Sequence, residues 1–250
     1  MRLKSNYGKI TAVLFALLLW QLAATVIDSS IVLAGPVGIL KRLPGICREP
    51  DFLMTVWSSL RHIAGGFLLA FVSGVCLASL AGRYRWIETA LWPLLVTVKT
   101  VPVASFVVIC LMWLSSEQLP VFISFLIVLP VIYGNTLEGI KSTDSAMLEL
   151  AQVFDMPLIK KVLYIRLPQL KPFLMSACRT ALGMAWKAGV AAEIIGTPEG
   201  SLGKRLYLAK IYLDTDDLFC WTLVIVIVSV IFEKLFMLLL KSAYRRLETE

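Results

Sequence analysis

The sequence has little charge for its length. Only 16% of its 250 residues are charged, whereas 58% are apolar and the mean hydropathy is +0.81. A soluble globular domain carries about 25% charged and about 45–50% apolar residues. The composition therefore argues against a disordered chain, a secreted disulfide scaffold and an ordinary soluble domain, and it indicates a polytopic membrane protein.

Residues that carry metal or nucleophilic chemistry are also scarce. The chain has one histidine, His62, and none of its five cysteines stands at a metal-ligand spacing. We therefore expect no catalytic residue, no metal site and no structural disulfide. A phosphate-binding loop needs Gly, four residues and then Gly-Lys-Ser/Thr, and the segment 134–142 misses this pattern by one inserted residue. We expect this chain to bind neither ATP nor any other cofactor.

Long apolar runs are what the sequence does contain. Helices of about 20 residues cross a bilayer and satisfy their own backbone there. We predict an all-α polytopic fold with one transmembrane domain over 1–250. Its six predicted spans are 9–27, 63–81, 91–114, 119–137, 172–195 and 219–240, the third being interrupted by Pro93 and Pro102. A polar connection over 28–50 and a short amphipathic stretch over 52–62 separate the first two spans.

The basic residues between the spans predict the orientation. With six spans, the side that holds both termini carries 13 Lys and Arg residues, and the other side carries 6. Because basic residues are enriched in cytoplasmic loops, both termini should be cytoplasmic. The net charge of +7 is concentrated on that side, so we do not interpret it as a nucleic-acid-binding surface. The largest cytoplasmic feature is then the segment 138–171.

Two spans contain small residues at every fourth position. Small side chains at this spacing let two helices approach closely. One interpretation is packing within one subunit, and the other is a subunit interface or a moving seam. The residues concerned are Gly66, Ala70, Gly74, Ala78 and Gly82 in the second span and Ala177, Ala181, Ala185 and Gly189 in the fifth.

Ionisable residues lie within the third and fifth spans. These are Lys99, beside Thr100, and then Arg179, Lys187 and Glu193. Charge at membrane depth usually faces protein or water, which makes these residues candidates for a solute pathway that favours an anion. Alternatively, Lys99 extends to the cytoplasmic surface and Glu193 caps the outer end of its helix.

The cytoplasmic segment contains a short amphipathic helix over 147–157. Leu148, Ala151 and the pair Val153–Phe154 form its apolar side, and Asp144 or Ser145 is suited to cap its start. A second helical stretch follows Pro157 and ends at Leu167–Pro168. A solvated loop needs no apolar face, so we expect the first helix to dock into a groove on another protein.

This segment resembles the cytoplasmic loop of ABC importer permeases. That loop has the pattern Glu-Ala-Ala, three residues, Gly, nine residues, Ile-x-Leu-Pro. The matching positions are Glu149, Leu150, Ala151, Asp155, Ile165, Leu167 and Pro168. Two of them depart from the pattern, since Leu150 replaces the first Ala and Asp155 stands where Gly is expected. A glycine there permits a tight turn with positive φ, which aspartate adopts at some cost.

The resemblance covers about 32–239 and is to the nitrate/sulfonate/taurine/bicarbonate-type permeases. Further fragments of that pattern are Trp92-Pro93-Leu94-Leu95, Leu182-Gly183-Met184-Ala185-Trp186 and Ser201-Leu202-Gly203. The resemblance implies a type I importer permease with a cytoplasmic coupling helix, acting as a pair of copies in the bacterial inner membrane. It also implies ATPase subunits that bind ATP and Mg beneath the pair, and an external solute-binding protein above it.

Two other classes stay open on the sequence alone. A secondary transporter or channel, not driven by ATP, normally shows internal repeats or several intramembrane carboxylates, and we find no convincing repeat. An intramembrane enzyme would need a paired nucleophile and base. The substrate is not determined either; a sulfonate, taurine or nitrate is favoured by Lys99 and Lys187, and bicarbonate or a thiamine-precursor pyrimidine remains possible.

Overall fold

In the computed structural model, residues 2–27 and 32–249 are described, and they form eleven α-helices and one π-helical turn. The first six helices are α1 (Arg2–Ile27), α2 (Pro36–Cys47), α3 (Phe52–Arg83), α4 (Arg85–Thr100), α5 (Val103–Cys110) and α6 (Gln118–Lys141). The remaining elements are α7 (Ser145–Val153), α8 (Leu158–Lys161), the π turn (Val162–Arg166), α9 (Leu167–Gly196), α10 (Leu202–Ile211) and α11 (Thr215–Thr249). The polar connection predicted over 28–50 contains α2, and its residues 28–31 lie outside the described part.

Helices α3 and α6 pack side by side in a parallel direction. The Cβ that Gly74 lacks would lie 2.9 Å from Ile132 Cγ2, and the one that Gly82 lacks would lie 2.8 Å from Ile140 Cγ2. The later glycine of α3 contacts the later isoleucine of α6, so the two helices run in the same direction. Both therefore start at the same end of the bundle. The segment that joins them must therefore run back along the whole length of α6.

That return segment is α4 with α5, and it is bent. The two helices meet at an angle of 103° across Val101 and Pro102. Proline cannot continue the hydrogen-bond pattern and disfavours a helical conformation in the preceding residue, which explains a break here. The structure thus interrupts the predicted span 91–114 at Pro102 and not at Pro93, which lies inside α4. Residues 111–114 of that prediction are a turn.

The last long helices complete the bundle around α6. Helix α9 is antiparallel to α6, since Ser124 Oγ donates to the Ala185 carbonyl oxygen at 3.2 Å and Leu119 faces Gly196 at the helix ends. Helix α11 is parallel to α3, because Phe52 stacks on Trp221 and Phe67 meets Phe236 edge-on, with centroids 4.8 Å apart in the second pair. Trp20 of α1 packs on Phe219 at the start of α11.

The bundle therefore has two distinct ends. We call the end that holds residues 142–166 the loop end and the end that holds α2 and α10 the far end. Within the described ranges, α3, α6 and α11 are long and apolar enough to cross a membrane, and the bent α4–α5 pair gives a fourth candidate. Helix α1 has a shorter apolar stretch, Thr11–Ile27, and α9 contains Arg179, Lys187 and Glu193.

The loop that the sequence predicted over 138–171 is shorter in the structure. Helix α6 continues to Lys141, and α9 already begins at Leu167. The second helical stretch does not end at Leu167–Pro168, contrary to the prediction, because the π turn joins it directly to α9. Proline is tolerated there since it occupies the first turn of α9, where its missing N–H would have no partner in the helix.

Candidate functional site

Helix α7 is capped and attached to the bundle at its first residue. The Asp144 carboxylate accepts a hydrogen bond from the Ala146 N–H at 2.9 Å, as the sequence predicted. In addition, the Asp144 N–H donates to Gln169 Oε1 in α9, also at 2.9 Å. The start of α7 is thus held in place relative to the first turn of α9.

The end of α7 is a tight left-handed turn at Asp155. The backbone of Asp155 has φ 46°, the conformation that the glycine of the family pattern would adopt without strain. The Met156 N–H donates to the Ala151 carbonyl at 3.0 Å, and the Asp155 N–H donates to the Gln152 carbonyl at 3.1 Å. These two bonds form a Schellman motif, so aspartate here keeps the turn that the pattern requires.

An apolar surface lies exposed around α7. Its most exposed members are Leu158 at 79%, Val153 at 77% and Ile159 at 74%. We call it the coupling surface and define it as Met147, Leu150, Val153, Phe154, Leu158 and Ile159. Glu149 lies exposed beside it.

The predicted apolar face of α7 was only partly right. Val153 and Phe154 are on the exposed surface, whereas Ala151 is buried with 3% exposure and Leu148 is half-buried. Leu150, which replaces an alanine of the family pattern, adds to the exposed apolar area. The helix therefore uses one side to pack on its own chain and leaves the other uncovered.

The remaining motif residues lie where the loop joins α9. Ile165 is in the π turn and Leu167 and Pro168 begin α9. The Leu167 N–H donates to the Val162 carbonyl, five residues back, as in a π-helix. Ile165 and Leu167 are half-buried and Pro168 is exposed, so this part of the motif contributes mainly to the attachment of the loop.

Helix α9 has an exposed face with two positive charges. Many of its residues are buried, but Arg179 and Lys187 are exposed. They are eight positions apart, which places them on one side of the helix about 12 Å from each other along its axis. Lys99 and Thr100 are also exposed, at the end of α4 just before the bend. In the part of the chain that the structure describes, none of the three cations forms an ion pair.

Glu193 has a different environment from the other charged residues of the spans. Its side chain is fully buried, and its Oε2 accepts hydrogen bonds from Ser59 Oγ at 2.8 Å and from the Gly203 N–H at 3.0 Å. Ser59 Oγ in turn accepts from the Leu202 N–H at 2.8 Å. The carboxylate thus connects α3, α9 and the start of α10. Only glycine fits at position 203, because a Cβ there would overlap Glu193.

The small-residue stripes pack helices within this chain. A Cβ at Gly66 would overlap the Val121 carbonyl oxygen of α6, and one at Gly189 would lie 2.6 Å from Ile63 Cγ1. The other members that are buried in these contacts are Ala70, Gly74, Ala78, Ala177, Ala181 and Ala185. The geometry agrees with the first of the two interpretations, close packing in one subunit.

Sequence reasoning missed two residues of these sites. Ser59 is the hydrogen-bond partner of Glu193, and Gln169 accepts from the start of α7. Ser59 lies 134 positions from Glu193, and Gln169 lies 25 positions from Asp144. Both are polar residues in amphipathic segments, and their local sequence does not indicate a distant partner. A conspicuous signal existed only for Glu193, as an acidic residue in an apolar helix.

Long apolar helices in a bundle, with a capped and surface-exposed helix in one connecting loop, are the features of a polytopic membrane protein. The chain belongs to the family described as binding-protein-dependent transport system inner membrane component, which matches residues 74–249. It is thus an ABC importer permease subunit, a multi-pass component of the inner membrane. Proteins named as such permease components are not enzymes themselves.

Similar proteins carry permease names with different solutes. A probable ABC transporter permease protein of Brucella melitensis is 28% identical over 87% of each chain. The putative aliphatic sulfonates transport permease protein of Bacillus subtilis is 25% identical over 90% of this chain and 83% of its own. The formylaminopyrimidine transport permease protein of Halalkalibacterium halodurans is 29% identical over 79% and 80%.

A solved structure supports the fold. A chain in the crystal structure of an amino acid ABC transporter with histidines matches with a TM-score of 0.58 at 17% identity. The match covers 79% of this chain and 94% of that one. At this identity the likeness concerns the arrangement of helices alone.

Proposed function

We propose that two copies of this chain form a solute pathway across the inner membrane, and that ATPase subunits drive it through the coupling surface. The observation that carries the proposal is the exposed apolar surface on a helix whose start is hydrogen-bonded to α9. ATP and Mg would be bound by the ATPase subunits, and this chain would bind no cofactor. A solute-binding protein would deliver the substrate at the far end.

The coupling surface has the properties of a helix-in-groove contact. An uncovered apolar patch on a membrane protein's aqueous end indicates a protein partner. The hydrogen bond from the Asp144 backbone to Gln169 and the Schellman turn at Asp155 hold α7 firmly. A movement imposed on α7 by a partner would therefore be transmitted to α9 and, through residues 142–144, to α6.

Six crossings fit the directions of the helices. Helices α3, α6 and α11 run from the far end to the loop end, so α4–α5 and α9 return between them. The contact of Trp20 with Phe219 brings the end of α1 to the far end, which gives a sixth crossing with the N-terminus at the loop end. The excess of basic residues on that side supports cytoplasmic termini.

The exposed cations of α4 and α9 support a pathway for an anion. Exposed Arg179 and Lys187 would be costly in lipid, so they should face water or another protein. If two copies of the chain enclose the exposed faces of α4 and α9 between them, these cations face water or the other copy and not lipid. The bend after Thr100 would also line this pathway, since irregular backbone at membrane depth is tolerated where it lines a cavity. We therefore propose a small anion such as a sulfonate, taurine or nitrate as the substrate.

The test is uptake by proteoliposomes that contain this chain, its ATPase subunits and its solute-binding protein. We expect ATP-dependent uptake that stops when the ATPase is inactivated and persists when ionophores dissipate the ion gradients. Uptake that continues without ATP and stops with the ionophores would instead indicate a secondary transporter. Sulfonate, nitrate and formylaminopyrimidine, each offered with a binding protein that recognises it, would distinguish the substrate classes.

A further inference from the structure

A cavity lies at the loop end, and none of its lining residues belongs to the coupling surface or to α9. Its volume is about 570 Å³, and it opens where the end of α3, the start of α4 and the end of α6 converge. The side chains and backbone that line it include Gly82, Arg83, Arg85, Glu88, Trp92 and Lys141.

The charges around this cavity do not cancel. Lys141 Nζ donates to both carboxylate oxygens of Glu88, at 2.6 and 2.7 Å, so this acid is already neutralised. Arg83 and Arg85 are exposed at the cavity and form no ion pair within the described ranges. Two guanidinium groups, each able to donate several hydrogen bonds to one phosphate, are therefore available to an anion.

The cavity also lies at a boundary between apolar and polar surface. The apolar stretch of α3 ends at Ala81, two residues before Arg83. Tyr84, Trp86 and Trp92 are 49%, 70% and 66% exposed beside it. Tryptophan and tyrosine concentrate at the level of lipid headgroups. The same face continues toward the membrane centre with exposed Leu80, which a soluble anion would leave uncovered.

We propose that this cavity binds the phosphate of an anionic phospholipid, whose acyl chains lie along the apolar surface next to Leu80 and Trp92. Basic cavities between membrane helices are suited to such headgroups. The bound lipid would connect the turn between α3 and α4 to the end of α6. Because α6 ends three residues before the Asp144 cap of α7, the lipid would also restrain the coupling surface.

The test measures lipid binding to the full chain, purified in a neutral detergent, by native mass spectrometry. The probes are phosphatidylglycerol, phosphatidylcholine and soluble glycerol phosphate. We expect phosphatidylglycerol to be retained in preference to the other two. The variant R83Q/R85Q should bind it roughly thirtyfold more weakly, from about fivefold for each arginine. The variant E88Q, which frees Lys141, should bind it more tightly.

The matched control is K41Q/R48Q, which removes two exposed charges at the far end and should leave phosphatidylglycerol binding unchanged. Equal retention of phosphatidylcholine would overturn the proposal. Unchanged binding of phosphatidylglycerol in R83Q/R85Q would also overturn it. If glycerol phosphate binds as strongly as the lipid, the cavity is a site for a free anion instead. If R83Q/R85Q does not fold, E88Q still decides, since unchanged or weaker binding in that variant contradicts the proposed charge balance. None of these measurements depends on ATP or on transport.

Discussion

Glu193 is a single residue that connects three helices of the bundle. Its carboxylate holds Ser59 of α3 and the Gly203 N–H of α10. We expect Glu193→Ala to lower the free energy of unfolding by about 2–3 kcal/mol, because it leaves buried donors without acceptors. Glu193→Gln should cost less, since its amide oxygen can still accept both bonds. Thermal unfolding of the purified chain measures the difference.

The control for this prediction is Glu199→Ala. Glu199 is 86% exposed and, among the residues that the structure describes, pairs only with Lys204 at the far end, so its loss should leave the unfolding temperature nearly unchanged. Equal unfolding temperatures for Glu193→Ala and the unmodified chain would show that the buried hydrogen bonds do not hold α10.

Asp155 is a residue whose conformation follows from local sequence. Because its φ is 46°, Asp155→Gly should stabilise the turn by about 1 kcal/mol, and Asp155→Val should destabilise it by more. Hydrogen exchange of the Met156 amide, which is bonded to the Ala151 carbonyl, should slow in the first variant and accelerate in the second. The same direction of change in both variants would contradict this role of the backbone.

These two residues illustrate what the sequence could and could not predict at a site. The turn at Asp155 depends on neighbours within four residues, so a sequence motif that has glycine at that position was sufficient to predict the turn. The environment of Glu193 depends on Ser59, 134 positions away, and on how three helices meet. The sequence indicated that Glu193 was unusual, but not that it is buried inside one chain.

Among the helices, α3 and α6 pack closely through the glycines of α3. Gly66→Ala should destabilise the bundle because the new Cβ would overlap the Val121 carbonyl oxygen, a backbone atom that cannot move aside alone. Gly65→Ala is the matched control, since a Cβ at Gly65 meets nothing within 4 Å and alanine favours a helix over glycine. We expect thermal unfolding to separate the two variants by several degrees. Equal destabilisation would contradict the packing described.

The elements themselves were largely predictable because long apolar runs require helices in a bilayer. The bend of 103° between α4 and α5 could not be predicted, although Pro102 marked its position. The sequence also gave no sign that α10 forms or that the loop continues into α9 through a π turn. These features depend on contacts between distant segments or on backbone geometry that hydropathy does not record.

The fine structure of α7 changes how its role should be tested. Two substitutions in this motif, Glu149→Lys and Ala151→Arg, would place a positive charge on α7 at very different depths. Glu149 is exposed and remains a suitable position. Ala151 is buried with 3% exposure, so an arginine there would disturb the loop itself. Leu150, at 54% exposure, is the better apolar position.

At the scale of the whole molecule, the exposed cations of α9 should govern which solutes pass. The variant R179Q/K187Q should reduce uptake of an anionic substrate about tenfold or more, because it removes the charges that offset the anion's loss of hydration. Binding of ATPase subunits should not change. The control is Lys234→Gln, which alters an exposed lysine on the peripheral helix α11. Unchanged uptake in R179Q/K187Q at normal expression would remove these residues from the pathway.

ATP hydrolysis by the reconstituted importer shows whether α7 connects this chain to an ATPase. The measurement compares hydrolysis stimulated by the loaded solute-binding protein for the unmodified chain, Leu150→Glu and the control Gln152→Glu on the same helix. We expect at least a tenfold loss of stimulated hydrolysis and loss of ATPase co-purification for Leu150→Glu, with normal membrane insertion and an unaffected control. Stimulated hydrolysis and co-purification that are the same in all three proteins would contradict it.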